Sequence, residues 1–301
     1  MRPMLAMPGD HVPAGPGWSH EVKWDGVRIL ASRVSEVLSL TTRNERDATT
    51  AWPEVAAVAP AGDLLVDGEI IALGEHGRPD FRALAERIHA RGAAARRLSA
   101  EIPATYLVFD LLRLDGRDLT GLPLAERREI LAGIDLAGWQ LPEVYDDGPM
   151  LHEATRQQRL EGIVSKRLDS TYRPGERTRA WLKFAHRYRG SYVVGGWRPQ
   201  VDTTDRLAAL LVGEVTDAGL VYRGRVGSGI GPRESAILRR LLVPGERSPF
   251  ADEVPRPAAT GTFWVRPTVV VDVDTHGTGY DRLRQPSYRG VRTDLSPEEL
   301  G

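Results

Sequence analysis

The chain has 301 residues, a hydrophobic share of 41% and a formal net charge of −1. That supports one large or two modest domains at about 150 residues each, and it excludes a polycation, so any nucleic-acid contact needs a local basic face. The chain has no cysteine, which rules out disulfides and thiolate metal sites and fits a reducing cytosol. It also has no run of about 18 apolar residues that would span a membrane, and Met1-Arg2-Pro3-Met4-Leu5 lacks the apolar stretch of a signal peptide.

The first half reads as mixed α and β. Residues 27–40 pattern as a hairpin with apolar Val27, Ile29, Val34 and Leu38, and residues 63–73 pattern as a strand. Residues 80–90 predict a short amphipathic helix through Phe81, Leu84 and Ile88, and 91–99 a mobile loop or frayed helix. Residues 106–112 predict a buried strand, 122–134 a helix with Pro123 early, and 151–160 a polar helix. Short strands follow at 162–166 and 180–184. Arg187-Tyr188-Arg189-Gly190 then reads as a hinge. Beyond it, strands at 191–197, 207–215, 220–226 and 263–273 with a helix near 233–242 suit a small Greek-key barrel. The Pro/Ala-rich stretch 248–262 reads as a surface loop, and no internal repeat is present. The expected division is 1–187 and 188–301.

Three lysines stand against thirty-seven arginines: Lys23, Lys166 and Lys183. Arginine stays charged and is a poor nucleophile, whereas a lysine in a tuned site can lose its proton and attack an electrophile. The surviving lysines are either chance leftovers on a solvated face or positions that a guanidinium cannot fill.

Each lysine lies in a motif: Lys23-Trp24-Asp25-Gly26, Glu161-Gly162-Ile163-Val164-Ser165-Lys166 and Trp181-Leu182-Lys183. Between and after them come Thr42-Arg43-Asn44, Asp67-Gly68-Glu69, Tyr106-Leu107-Val108-Phe109-Asp110, and Leu283-Arg284-Gln285-Pro286-Ser287-Tyr288 with Arg292-Thr293-Asp294. Val193-Val194-Gly195-Gly196-Trp197 and Arg225-Val226-Gly227-Ser228-Gly229 add to the series. This ordered set resembles the covalent nucleotidyltransferases, specifically ATP-dependent DNA ligases of the bacterial end-joining group (the LigD ligase domain and standalone LigC enzymes). The resemblance implies an α+β fold: a nucleotidyltransferase (adenylation) domain with mixed and antiparallel sheets, then a small OB-fold barrel.

It further implies that Lys23 takes AMP from ATP as a lysyl-AMP. Glu21 would read the adenine edge, with Val22 beside it on the nucleotide, and Phe109 would offer a stacking face, although a lone Phe in an apolar strand is ordinarily core. Glu69 would hold the ribose and assist a metal, and Glu161 would ligate it. Oxygen donors suit Mg²⁺ or Mn²⁺, and the alternative for both carboxylates is a structural salt bridge. Arg28 and Arg43 would face the 5′-phosphate and the AMP phosphate. Lys166 and Lys183 would bind the α-phosphate, with Arg177 near the nucleotide. Arg284 and Arg292 fall in the C-terminal motif, whose domain would close over ATP and orient the pyrophosphate leaving group, with Asp294 orienting one of the two; the alternative is surface charge near the chain's tail. Arg223, Arg225, Arg233, Arg239 and Arg240 form either a phosphate-tracking face or a chance cluster.

Two positions depart from the family pattern: Ala185 stands where a second lysine often follows Lys183, and Leu295 where a lysine often follows Asp294. His186 or Arg187 is the candidate to compensate for Ala185. The implied activity is sealing of 3′-OH/5′-phosphate breaks in DNA repair and recombination, by a monomer in the bacterial cytoplasm, nucleoid-associated while acting. A Ku-type end-binding protein is the partner implied by analogy. Whether the chain is a whole gene product, which a starting Met1 weakly favours, or a domain of a larger repair protein stays open. Two alternatives remain open, an RNA ligase or GTP-using capping enzyme and a catalytically silent DNA-binding relative.

Overall fold

The computed structural model describes residues 1–74, 77–200, 203, 206–277 and 281–300. The chain divides into two compact units, Met1–Ala185 and His186–Gly301. In the first unit the elements run β1 (Leu5–Pro8), β2 (Trp18–Val22), β3 (Val27–Val34), β4 (Val37–Thr42), α1 (Pro53–Ala57), β5 (Leu64–Ala72), α2 (Phe81–Ala85) and α3 (Gly92–Glu101). They continue with β6 (Ala104–Leu114), β7 (Arg117–Asp118), α4 (Leu124–Ala132), α5 (Gly148–Gln157), β8 (Gly162–Arg167) and β9 (Arg177–Ala185).

Two sheets result, a five-stranded one ordered β4-β3-β5-β6-β7 and a four-stranded one ordered β1-β9-β8-β2. Side chains alternate across each strand. In the larger sheet Ile29, Ala31, Val66, Ile70 and Val108 pack into the main core with Trp52 and Leu84 from the helical side. The opposite face carries Leu30 and Phe109 and meets Met4, Tyr172 and Trp181 in a second cluster. Charged residues on that second face are therefore held between the two sheets. The far side of the smaller sheet is closed by α5, whose Leu151 packs with Ile163 and Phe184.

The second unit holds β10 (Tyr188–Pro199), β11 (Leu207–Thr216), β12 (Gly219–Val226), α6 (Pro232–Leu241), α7 (Arg256–Ala259), β13 (Phe263–Trp264), β14 (Val270–Thr275) and β15 (Ser287–Val291). The path β12-β11-β10-β14-β15 curls back on itself, because Ser228 beyond β12 bridges Ser287 in parallel. Tyr288 N donates to Ser228 O at 2.9 Å across that closure. Gly229 sits there at φ +84°, where a side chain is strained and a Cβ would strike the Tyr288 carbonyl. This is the closed five-strand pattern of an OB-fold.

Several expectations are corrected. Residues 188–190 of the expected hinge are strand, the start of β10, just past the boundary between the two units. The helix expected over 80–90 ends at Ala85, where Arg87 turns inward to bond Glu54 and the Ile102 carbonyl. Residues 92–101 form a regular helix. Within 248–262, Phe250 and Val254 are buried, so the stretch is more than a surface loop. Room for Phe250 comes from Gly195 and Gly213, where any Cβ would collide with its ring. The run 263–273 is split into β13 and β14. β1, β2, α1 and β15 were not anticipated as elements.

Candidate active site

One cleft between the two sheets of the first unit is lined by Glu21, Val22, Lys23, Arg28, Arg43, Glu69, Phe109, Lys166, Arg177 and Lys183, together with Val164 and Trp181. All three lysines thus face the same space. Lys23 follows directly on β2, and its amide donates to Gly162 O at 2.9 Å, fixing it beside the start of β8. Its Nζ lies 2.6 Å from Glu161 Oε2. The register Val164↔Lys183 brings Lys183 to the same sheet face. Burial, reinforced by the nearby positive charges of Lys23, Arg177 and Arg43, lowers the Lys183 pKa. Neither Lys183 nor Arg43 has an ion-pair partner among the described residues.

Arg28 and Glu69 come from paired positions on β3 and β5. Arg28 grips Asp67 through Nε at 2.5 Å and Nη2 at 2.6 Å, and Tyr172 donates to the same carboxylate at 2.6 Å. Two glycines of the quoted motifs, Gly26 and Gly68, are steric requirements of the cleft. A Cβ on Gly26 would meet the Ile70 carbonyl oxygen, and one on Gly68 the Leu107 carbonyl oxygen. Burial pushes the Glu69 carboxyl up to about 8, with Glu161 and Asp67 adding to the shift and Arg28 and Lys23 opposing it.

Phe109 lines the cleft but is only 8% exposed. Arg28 and Lys166 lie 4.6 and 4.2 Å from its ring centroid, so the expected stacking face already carries cations. Lys166 is buried and bonds Glu21 at 2.7 Å, and burial lowers its pKa against the pull of Glu21. It therefore arrives at the cleft already paired.

Glu69 and Glu161 are the candidate metal donors. Among the described residues no group of three or more His, Cys, Asp or Glu is placed to hold a metal ion by itself. Two carboxylates without a protein cage nevertheless fit Mg²⁺ or Mn²⁺, which take their remaining ligands from substrate phosphates and water.

In the second unit, Arg292 is held by Asp294 through two 2.8 Å bonds and reaches Asp272 at 3.4 Å. The Arg284 carbonyl accepts from His276 N and Thr275 Oγ1, both at 3.0 Å. Of the five barrel arginines, Arg223 pairs with Glu214 at 2.6 Å and Arg239 stacks 4.3 Å from Trp197, while Arg225, Arg233 and Arg240 are exposed. Ala185 ends β9 opposite Gly162, and the compensating candidates His186 and Arg187 fall in the second unit.

Sequence reasoning missed the roles of Asp67, Tyr172, Trp181 and Arg128. Asp67 and Trp181 stand inside quoted motifs, but Tyr172 and Arg128 carry no local signal.

Comparison with known proteins places the chain in a family. Residues 3–184 match the family model "ATP dependent DNA ligase domain", and residues 203–295 match "ATP dependent DNA ligase C terminal region". The multifunctional non-homologous end joining protein LigD of Mycolicibacterium smegmatis is 35% identical over 99% of this chain, which spans 39% of that protein. DNA ligase C of Mycobacterium tuberculosis is 35% identical over 80% of this chain and 68% of its own length. The crystal structure of the ligase domain of M. tuberculosis LigD is 33% identical, covers 100% of this chain and 97% of that one, and superposes with a TM-score of 0.57. A mycobacterial DNA ligase D complexed with ATP and MES, also 33% identical over 100% of this chain and 97% of its own, gives 0.58. With both family models matched in order along the chain, it belongs to the ATP-dependent DNA ligases.

Proposed function

We propose that this chain seals 3′-OH/5′-phosphate breaks in DNA with ATP, through a lysyl-AMP on Lys23. The observation that carries the reading is Lys23 Nζ, 2.6 Å from Glu161, in a cleft that also collects the cations Lys183 and Arg43. An amine attacks only when neutral. For the attack Lys23 gives up its contact with Glu161 and its proton leaves to solvent.

In the first step Lys23 Nζ bonds to the α-phosphorus of ATP, and the bond from that phosphorus to the pyrophosphate oxygen breaks. Lys183 stabilises charge on the α-phosphate. The base enters beside Phe109 and Val164, with Glu21 at its edge. In the second step a 5′-phosphate oxygen of the DNA attacks the AMP phosphorus. The P–N bond breaks, Lys23 regains a proton, and Arg43 and Arg28 face the two phosphates. In the third step the 3′-hydroxyl attacks the 5′-phosphorus, AMP leaves and the hydroxyl proton is lost. Glu69 and Glu161 would hold Mg²⁺ or Mn²⁺, which when bound supplies neutralisation of the phosphates. Arg284 and Arg292 would orient the pyrophosphate.

Likeness to end-joining proteins extends the proposal to repair of double-strand breaks, with a Ku-type partner and a monomeric ligase in the bacterial cytoplasm. Among the described residues no helix is long and apolar enough to cross a membrane. The intact Lys23–Glu161 pair favours an enzyme over a catalytically silent DNA-binding relative, and membership of the ATP-dependent family favours ATP over the GTP of a capping enzyme.

The test is sealing of a singly nicked duplex with ATP and Mg²⁺ or Mn²⁺. The proposal expects sealing of a 5′-phosphate nick and none of a 5′-hydroxyl nick. Activity confined to RNA, or dependent on GTP, would contradict it.

A further inference from the structure

We propose that Arg128 sets the nucleobase selectivity of the cleft, by holding one oxygen of Glu21 in place for the exocyclic amine of adenine. This rests on the nucleotide reading of the cleft given above. Glu21 is buried on β2, and its two oxygens are treated differently. Oε2 accepts from Lys166 Nζ at 2.7 Å, a full charge-assisted bond. Oε1 faces Arg128 Nη1 at 3.4 Å, a longer contact that leaves it capacity to accept another hydrogen.

The same guanidinium reaches further. Nη1 also donates to the Phe109 carbonyl at 3.1 Å, and Nη2 to the Pro142 carbonyl at 3.1 Å. One side chain thus ties the acid on β2 to the strand that carries the cleft's Phe109. Its helix, α4, is itself anchored. The preceding Arg127 is fully buried, bonds both oxygens of Asp110 at 2.7 and 2.8 Å, and donates to the Leu122 and Ser170 carbonyls at 2.6 and 3.0 Å. Consecutive arginines on α4 therefore clamp consecutive residues of β6, Asp110 and Phe109.

The chemistry follows from the donor and acceptor pattern. A carboxylate paired with two cations offers only acceptors. Adenine presents an amine at position 6 and fits it. Guanine presents a carbonyl there, which sets acceptor against acceptor and is rejected. Arg128 is absent from the cleft lining, so it is a positioning residue that acts through Glu21. Without it, Glu21 is free to turn wholly toward Lys166.

The experiment measures covalent label on the full chain as a function of the concentration of α-labelled ATP, GTP or purine riboside triphosphate, the last lacking the 6-amine. In Arg128→Met the apparent KM for ATP should rise by at least about tenfold, the effect of one weakened hydrogen bond to a charged group, with little change in maximal rate. The KM for purine riboside triphosphate should move less than about twofold. Glu21→Gln combined with Arg128→Met should be no worse than the more affected single variant. Arg128→Lys, which keeps a charge but not the fork, should fall between; where Arg128→Met loses its fold, this variant carries the same comparison. An equal rise for ATP and purine riboside triphosphate, or additive single effects, would overturn the proposal and leave Arg128 a structural residue. A wild type that takes label from no nucleotide would overturn the nucleotide reading of the cleft, and this inference with it.

Discussion

Asp67 is the acid that holds Arg28 in the cleft, and Asp67→Asn removes its charge with almost no change of shape. The carboxylate is 0% exposed and accepts from Arg28 Nε, Arg28 Nη2 and the Tyr172 hydroxyl. Breaking one partner of a buried pair costs about 3–5 kcal/mol, because the other charge is left uncompensated. The Arg28 side chain keeps 22% of its exposure, which puts the expected loss at the lower end, about 3 kcal/mol. For a unit of this size that is roughly 6–12 °C in melting temperature. The assay is urea denaturation followed by tryptophan emission on the wild type, Asp67→Asn, Arg28→Met and the double variant. Replacing both partners by neutral groups removes the orphaned charge, so the double should be more stable than the sum of singles predicts, by at least about 1 kcal/mol. The reasoning is refuted if Asp67→Asn falls within about 0.5 kcal/mol of wild type, or if the singles simply add.

Three further outcomes are expected. Lys183→Ala should slow adduct formation by about 10²-fold, the usual effect of removing one donor that stabilises transition-state charge, while the melting temperature stays close to wild type; single-turnover labelling measures it. Gly26→Ala should lose adduct formation out of proportion to its fall in stability of about 1–3 kcal/mol, because the new methyl meets the Ile70 carbonyl and the Glu69 side chain; paired melting and labelling curves decide this. In the barrel, hydrogen bonding from Arg189 and then Arg289 holds the Asp274 carboxyl below its ordinary 3.8. A depressed acid contributes stability that is complete above the unfolded value and fades as pH falls through the folded one. Melting temperature should therefore drop more steeply below pH 3.8 in wild type than in Asp274→Asn, and parallel curves would contradict that role for Asp274.

Much of the site was legible because the chemistry is written in short runs. Scarcity of lysine singled out Lys23, Lys166 and Lys183, and all three line one cleft. The runs around Glu69 and Phe109 pointed to the same place. Pairings made across the fold were not legible. Tyr172 reaches Asp67 over 105 residues and Arg128 reaches Glu21 over 107, and no periodicity reports a partner at that distance. Phe109 shows the limit of residue type, since its apolar strand setting suggested core and its motif suggested stacking, while the ring sits buried under two cations. In the fold, apolar patterning marked β5, β6 and β11. It failed for β15, whose Ser-Tyr-Arg-Gly-Val sequence pairs along β14 by backbone bonding rather than by an apolar pattern. It also failed at Phe250, whose burial depends on space left by two distant glycines.

The central claim is that Lys23 carries the nucleotide. Wild type and Lys23→Arg, incubated with α-labelled ATP and Mg²⁺ or Mn²⁺, should be compared after denaturing electrophoresis, with mass spectrometry to establish that the wild type is not already adenylylated. The account predicts label on wild type alone, mapped to Lys23 and released by acid as expected for a P–N bond. Label retained by Lys23→Arg, or none on unadenylylated wild type, would contradict it.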